Sequence, residues 1–361
     1  MSSSNGERVK VGILSMKGNF NKDLGQGVQK YIYNIWRNLL ALDSGHTIEK
    51  VELGVGNGML MRELSFTLST FVRSLSGYNI IHIPAPIAFN PLRRGNAAVI
   101  TTAHEFILLD KDNPLAAMPE TGGSFFETKI HEACIRQMLG SDHMIVDSTL
   151  VRGEAIRLGY DRDKISVVNI GVDDEFIKTP LRPRNGRKRP FVVGRLGSFW
   201  PRKNAAFTIN AFMKLQDKDI RYDVWGKPSG NYDELVRMAA GDPRIAFKGF
   251  VPKDRMVRVY DSFDVYLHPA LYGGFEMEIL EAQARGVPVI ISKRAQITKE
   301  VKRYCYEARD EDHMARIIKE IKDNGYDRQL RRRAMDYARK FTWRKTAEET
   351  LKVYERVHHG A

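Results

Sequence analysis

Two cysteines in 361 residues, Cys134 and Cys305, are too few and too far apart for a disulfide scaffold. Both are expected as reduced thiols, the state usual in a cytoplasmic protein. No apolar run approaches the roughly 20 residues that a membrane-spanning helix needs. Residues 1–6 are polar and lack the apolar region of a signal peptide. There is no low-complexity tract, no zinc-finger spacing, no Gly-x-Ser-x-Gly nucleophile elbow, no RNP-like aromatic motif and no evident helix-turn-helix. These absences argue against a secreted miniprotein, a membrane span, a serine-hydrolase elbow and the common nucleic-acid modules. No cofactor and no metal are expected, and nucleic acid is a disfavoured partner.

What remains is an ordinary soluble composition, 43% hydrophobic and 28% charged, in a chain long enough for two domains. The formal net charge of +13 is unevenly spread. Residues 1–175 carry 18 Lys+Arg against 20 Asp+Glu, and residues 176–361 carry 39 against 24. Anion binding therefore belongs to the second half, towards a phosphate-bearing small molecule or an anionic membrane surface.

Short apolar runs alternate with helix-period segments, the pattern of βαβ units on parallel sheets. Strands are expected at 9–15, 48–53, 80–83, 98–103, 143–147 and 165–168, with helices at 28–42, 59–75 and 128–139. The stretch 178–190, KTPLRPRNGRKRP, has three prolines and six basic residues and reads as a linker. A second series follows, with strands at 191–196, 221–225, 245–247, 265–268 and 287–292. Its helices fall at 204–215, 232–240, 254–262 and 277–285. Residues 312–357 read as helical, with a break near Phe341. The domains expected are 1–177, 191–341 and a terminal helix over 342–361. In open sheets of this kind ligands bind beyond the carboxyl ends of the strands.

Two stretches carry the chemistry. In VGRLGSFWPRKN (193–204) a strand ends in Gly194–Arg195, and Lys203 precedes a helix, an arrangement suited to clamping a diphosphate. In LYGGFEMEILEAQARG (271–286) Gly273 and Gly274 let backbone approach a ligand, and Glu281 lies among apolar residues where a carboxylate needs a partner. GVGNG at 54–58 follows the second strand rather than the first and reads as a turn.

Together these stretches resemble glycosyltransferase family 4, from about Val9 to Tyr354. The resemblance implies the GT-B fold: an α/β protein of two Rossmann-like domains facing each other across a cleft, with the C-terminal helix crossing back to the first. It assigns the donor diphosphate to Gly194, Arg195 and Lys203, and the nucleotide base to the turn at Gly249, Phe250 and Val251. The ribose falls to Glu281, and close approach of the donor phosphates to Gly25 and Gly27. His104, in ITTAHE, would lie near the transferred sugar, its neighbour Glu105 a candidate to orient the ring. Gly273, Gly274, Phe275 and Met277 complete the donor loop, FTWRKTAEETLKVY matches the terminal helix, and NIGVDD (169–174) the end of the first domain.

One departure stands out. The family's sugar-contacting Glu, eight residues before Glu281, is here Gly273, and a glutamate appears instead at Glu276. Glu276 is a candidate to replace it. The implied activity is a retaining, metal-independent glycosyl transfer from a nucleotide-diphosphate sugar to an acceptor that the sequence does not name. The alternatives are a non-catalytic sugar-binding module, an epimerase or phosphorylase on the same fold, or nucleic-acid binding through RPRNGRKR and RQLRRR. Two surface features are also expected. The long segment 105–128 would form an acceptor wall or lid. Phe66, with Arg62 and Arg73, would form an exposed face of the 59–75 helix able to touch a bilayer as a peripheral contact, the opposite arc being core.

Overall fold

The computed structural model describes residues 8–17, 19–20, 27–54, 65–66, 68–70, 72–85, 91, 93–118, 125–181 and 189–360. The chain divides into two compact units, one of residues 1–110, 123–171 and 343–361, the other of 111–122 and 172–342.

The first unit is built on β1 (Lys10–Met16), β2 (Thr47–Leu53), β3 (Ile80–Ile83), β4 (Ala98–Ala103), β5 (His143–Val146) and β6 (Ile165–Val167). They form one parallel sheet ordered β2-β1-β3-β4-β5-β6. The four residues of β3, IIHI, are all buried, as a strand covered on both faces requires. Helix α1 (Val28–Leu40) starts from Gly27, whose φ of 69° is a conformation glycine adopts without penalty. The C-terminal helix Trp343–His359 belongs to this unit: Tyr354 bonds His82 of β3 at 2.7 Å, and Trp343 lies against Tyr31 of α1.

The second unit carries β7 (Phe191–Leu196), β8 (Ile220–Trp225), β9 (Ile245–Gly249), β10 (Val265–His268), β12 (Val289–Ser292) and β14 (Tyr306–Ala308) in a parallel sheet ordered β14-β12-β10-β7-β8-β9. A short pair, β11 (Tyr272–Gly273) and β13 (Gln296–Ile297), stands apart. Gly194 is tightly constrained, because a Cβ there would lie 2.2 Å from the Phe263 ring. Arg285 fastens residues 176–180 to this unit, donating to the carbonyls of Phe176, Thr179 and Pro180 and pairing with Asp261 at 2.8 Å. Residues 182–188 of the expected linker lie outside the described residues.

Three expectations need correction. In the 59–75 segment the described residues 65–66, 68–70 and 72 are helical, but Phe66 is fully buried while Leu68 and Val72 are exposed. The core takes the aromatic, packing it on Gly54 and among Leu53, Leu75 and Ile83, so the expected exposed Phe66 site does not exist. Arg62 falls outside the described residues. In the 105–128 segment, Phe106 and Ile107 are buried and Leu108 and Leu109 pack on the core, so this part is structural rather than a lid. The C-terminal stretch also breaks twice, at 325–327 as well as near Phe341, giving helices Glu311–Asn324, Arg328–Ala338 and Trp343–His359.

Candidate active site

In the second sheet the strand order reverses between β7 and β10, and the loops leaving those two strands converge beyond their carboxyl ends, where open α/β sheets bind ligands. The loops are stitched together. Leu271 N–H donates to the Arg202 carbonyl at 2.9 Å, Asn204 Nδ2 donates to Pro269 O at 3.3 Å, and the Arg202 guanidinium lies over the Tyr272 ring at 5.0 Å.

Arg195, on the penultimate residue of β7, is 1% exposed. Its Nη2 donates to Ser198 O at 2.7 Å, and its guanidinium lies 5.1 Å from the Phe199 ring centre. Its Nε and Nη1 have no hydrogen-bond partner among the described residues. Burial lowers its proton affinity, against the opposing influence of Tyr222, Tyr266 and Glu278. A buried guanidinium with two open donors is costly unless an anion completes it.

Lys203 closes the short helical turn Pro201–Lys203, and its Nζ donates to both oxygens of Glu276, at 2.8 and 3.2 Å. Burial opposes its charge, but Glu276 and Glu278 outweigh burial and raise its affinity for the proton. Glu276 is 5% exposed and sits at the start of helix Met277–Ala284. Although burial disfavours its charge, Lys203 and then His268 hold its carboxyl well below the usual range. His268 Nε2 lies 3.3 Å from Glu276 Oε2 but is not aligned for a hydrogen bond.

The spatial relation between Gly273 and Glu276 explains the departure noted in the sequence. A Cβ placed on Gly273 would fall 1.8 Å from Glu276 Oε1. The carboxylate of residue 276 thus fills the space into which a side chain at 273 would project. Further along the same helix, Glu281 is buried and accepts from Tyr260 Oη at 3.0 Å. Burial, with Glu281 next, pushes the Tyr260 phenol well above its ordinary value, so it stays a donor. Gly249 ends β9 with φ 72°, Val251 is buried, and Phe250 is 48% exposed with Lys227 Nζ 4.5 Å from its ring centre. Gly274 and Phe275 are buried and Met277 is half-buried in the loop and first turn beside Glu276.

The second unit therefore gathers Arg195, Lys203, Gly273 and Glu276 into one cluster. His104 and Gly27 belong to the other unit, and Gly25 lies outside the described residues. His104 follows β4, its Nδ1 3.2 Å from Asp147 Oδ2 and its Nε2 3.2 Å from Pro84 O, with Tyr31 edge-on at 4.8 Å. Its orienting carboxylate is thus Asp147, not the adjacent Glu105. Burial raises the Asp147 carboxyl, with His104 opposing. Behind this pair His82, pushed down by burial to about 3, bridges Tyr354 and Thr102, each at 2.7 Å. The sequence reading passed over Asp147, His268, Tyr260 and Lys227. His268, at the end of β10, carries the same strand-end signal that singled out His104.

No helix among the described residues is long and apolar enough to cross a membrane. Residues 188–324 match the family model for glycosyl transferases group 1. The chain is 23% identical to D-inositol 3-phosphate glycosyltransferase of Corynebacterium diphtheriae, over 88% of this chain and 82% of that protein. It is 24% identical to O-antigen chain mannosyltransferase B of Escherichia coli, over 66% and 65% respectively. Among solved structures it resembles sucrose-phosphate synthase of Thermosynechococcus elongatus, at TM-score 0.73 and 16% identity, covering 98% of this chain and 100% of that one. Anabaena Alr3699/HepE, solved with UDP and glucose, aligns at TM-score 0.68 and 14% identity, over 96% of this chain and 99% of its own. The protein is a glycosyltransferase of the GT-B fold, and residues 188–324 of its second unit are similar to the glycosyl transferases group 1.

Proposed function

We propose that this chain transfers a glycosyl group from a nucleoside-diphosphate sugar with retention of configuration and without a metal ion. The observation that carries the reading is the buried Arg195 with two open N–H donors at the end of β7. Arg195 receives the donor diphosphate and stabilises the charge that grows on it as the anomeric C–O bond breaks. Lys203 supplies the second cation, and Glu276 exchanges its contact with Lys203 for one to the sugar. The acceptor oxygen bonds to the anomeric carbon on the face the diphosphate leaves, and the acceptor proton passes to that diphosphate. Two side-chain cations beside the leaving group support a route that needs no divalent ion. His104, oriented by Asp147, serves the transferred sugar, and Gly25 and Gly27 admit the donor phosphates. Cys134 and Cys305 form no disulfide, which fits a reducing compartment such as the cytoplasm.

A thermal-shift panel of nucleoside-diphosphate sugars tests this, because a ligand that binds only the folded state raises the melting temperature. A shift with a donor, followed by an α-linked product from an α-linked donor, is expected. No shift with any of them removes the reading, and an inverted product removes retention. Within the site, Glu281→Gln is expected to weaken nucleoside diphosphate and intact donor alike, by about 10–100-fold, the range for one charged hydrogen bond. Calorimetric titration with both ligands checks it. Loss confined to the intact donor would move Glu281 from the ribose to the sugar.

A further inference from the structure

Helix Arg328–Ala338 of the second unit buries Ala334 and Ala338 and turns its other side outward. Along that side runs an open groove of about 740 Å³, lined by Arg328, Arg331, Arg332, Arg339, Met335 and Leu181. One carboxylate, Asp336, lies among the four guanidinium groups, 3.9 Å from Arg332. Arg328, Arg331 and Arg339 have no ion pair among the described residues, and Arg331 Nε is buried without a hydrogen-bond partner. Several helix-surface cations elsewhere in the chain are matched. Lys178 has Asp174 at 2.7 Å, Arg344 has Glu348 at 2.9 Å, and Lys352 has Glu349 at 2.9 Å. Three unmatched guanidinium groups thus stand together on this one helix.

We infer that this groove is a docking surface for an anionic phospholipid membrane. At 1.5 Å per residue, positions 328 and 339 stand about 16 Å apart along the helix axis. So long a row of cations suits a field of phosphates better than one small ion. Clusters of four to eight basic side chains on a helix are the usual means of binding anionic leaflets. Arg333 and Lys340, both exposed, extend the cluster. Leu181 and Met335 give the groove an apolar floor, and neither inserts as a wedge. The association is therefore electrostatic, reversible and screened by salt.

Cosedimentation with vesicles tests it, comparing phosphatidylcholine alone with phosphatidylcholine containing phosphatidylglycerol. Binding to the anionic vesicles only, lost at high salt, is expected. The triple variant Arg328→Ser, Arg332→Ser, Arg339→Ser should lower partitioning on the order of 100-fold, while donor binding stays at the wild-type level. A control triple that removes the same charge elsewhere in this unit, Lys214→Ser, Lys218→Ser, Arg237→Ser, should keep most of the binding. Arg→Lys at positions 328, 332 and 339 should keep it too, since a lipid surface reads charge rather than fork geometry. Absence of binding to anionic vesicles at low salt overturns the inference. So does equal loss in the control triple. Capture of duplex DNA through the same arginines with vesicles ignored would assign the groove to nucleic acid. Saturation by inorganic pyrophosphate without vesicle binding would assign it to a free phosphate ligand.

Discussion

Arg195→Met is expected to lower turnover about 10²–10³-fold, the loss seen when one preorganised stabiliser of transition-state charge is removed. The same variant should melt within a few degrees of the wild type, or above it. Replacing a buried, incompletely paired charge by an apolar side chain of similar length is often neutral or stabilising. One bond to Ser198 and the contact with Phe199 are lost, which offsets part of that gain. Activity and stability therefore move apart, as they do where a group is kept for function at a cost to the fold. Steady-state kinetics and a thermal melt of the same preparation check both halves. The melting shift that nucleoside diphosphate produces in the wild type should shrink in the variant. A large fall in melting temperature with modest loss of activity would make Arg195 a structural residue and remove the diphosphate assignment.

The regular elements were legible because their signals are local. Residues 80–83, 98–103, 191–196 and 265–268 are strands with the bounds expected from their apolar runs, and the Gly194–Arg195 junction lies at the end of β7 as read. What escaped depends on partners distant in sequence. Ala103 pairs with Val146 in the β4–β5 register, so the next residues, His104 and Asp147, face each other across 43 positions. Nothing in the ITTAHE stretch reports that, and the adjacent Glu105 was the misleading local candidate. The phase of the 59–75 helix failed for another reason. Most of its apolar residues fall on one arc, which periodicity takes as the buried face, yet Leu68 and Val72 of that arc are exposed. The space beside Gly54 set the phase instead, and it took Phe66. Short strands such as β11 and β13, two residues each, have no periodicity to read.

The relation between Gly273 and Glu276 makes the other large prediction, and it is one of exchange. Gly273→Glu alone should lower transfer about 10²–10³-fold, because the new side chain enters space that the Glu276 carboxylate already occupies. Two carboxylates would then compete for Lys203. Glu276→Gly alone should cost a similar factor, leaving Lys203 without its carboxylate, while the helix start tolerates glycine. The double variant Gly273→Glu, Glu276→Gly restores one carboxylate to the same neighbourhood from the other position. Gly273 does not have a positive φ, so its backbone accepts a side chain once the space is cleared. Residues that share a partner are not additive, and a double-mutant cycle measures the coupling. The double variant should therefore transfer at least tenfold faster than either single variant, a coupling of about 4 kcal/mol or more once both single losses are counted. Donor KM should stay near the wild-type value in Glu276→Gly, because the nucleotide contacts lie elsewhere, and the loss should fall on kcat. If the double variant is as slow as the product of the two single losses, Glu276 does not replace the carboxylate missing at position 273. Its pairing with Lys203 would then be structural alone.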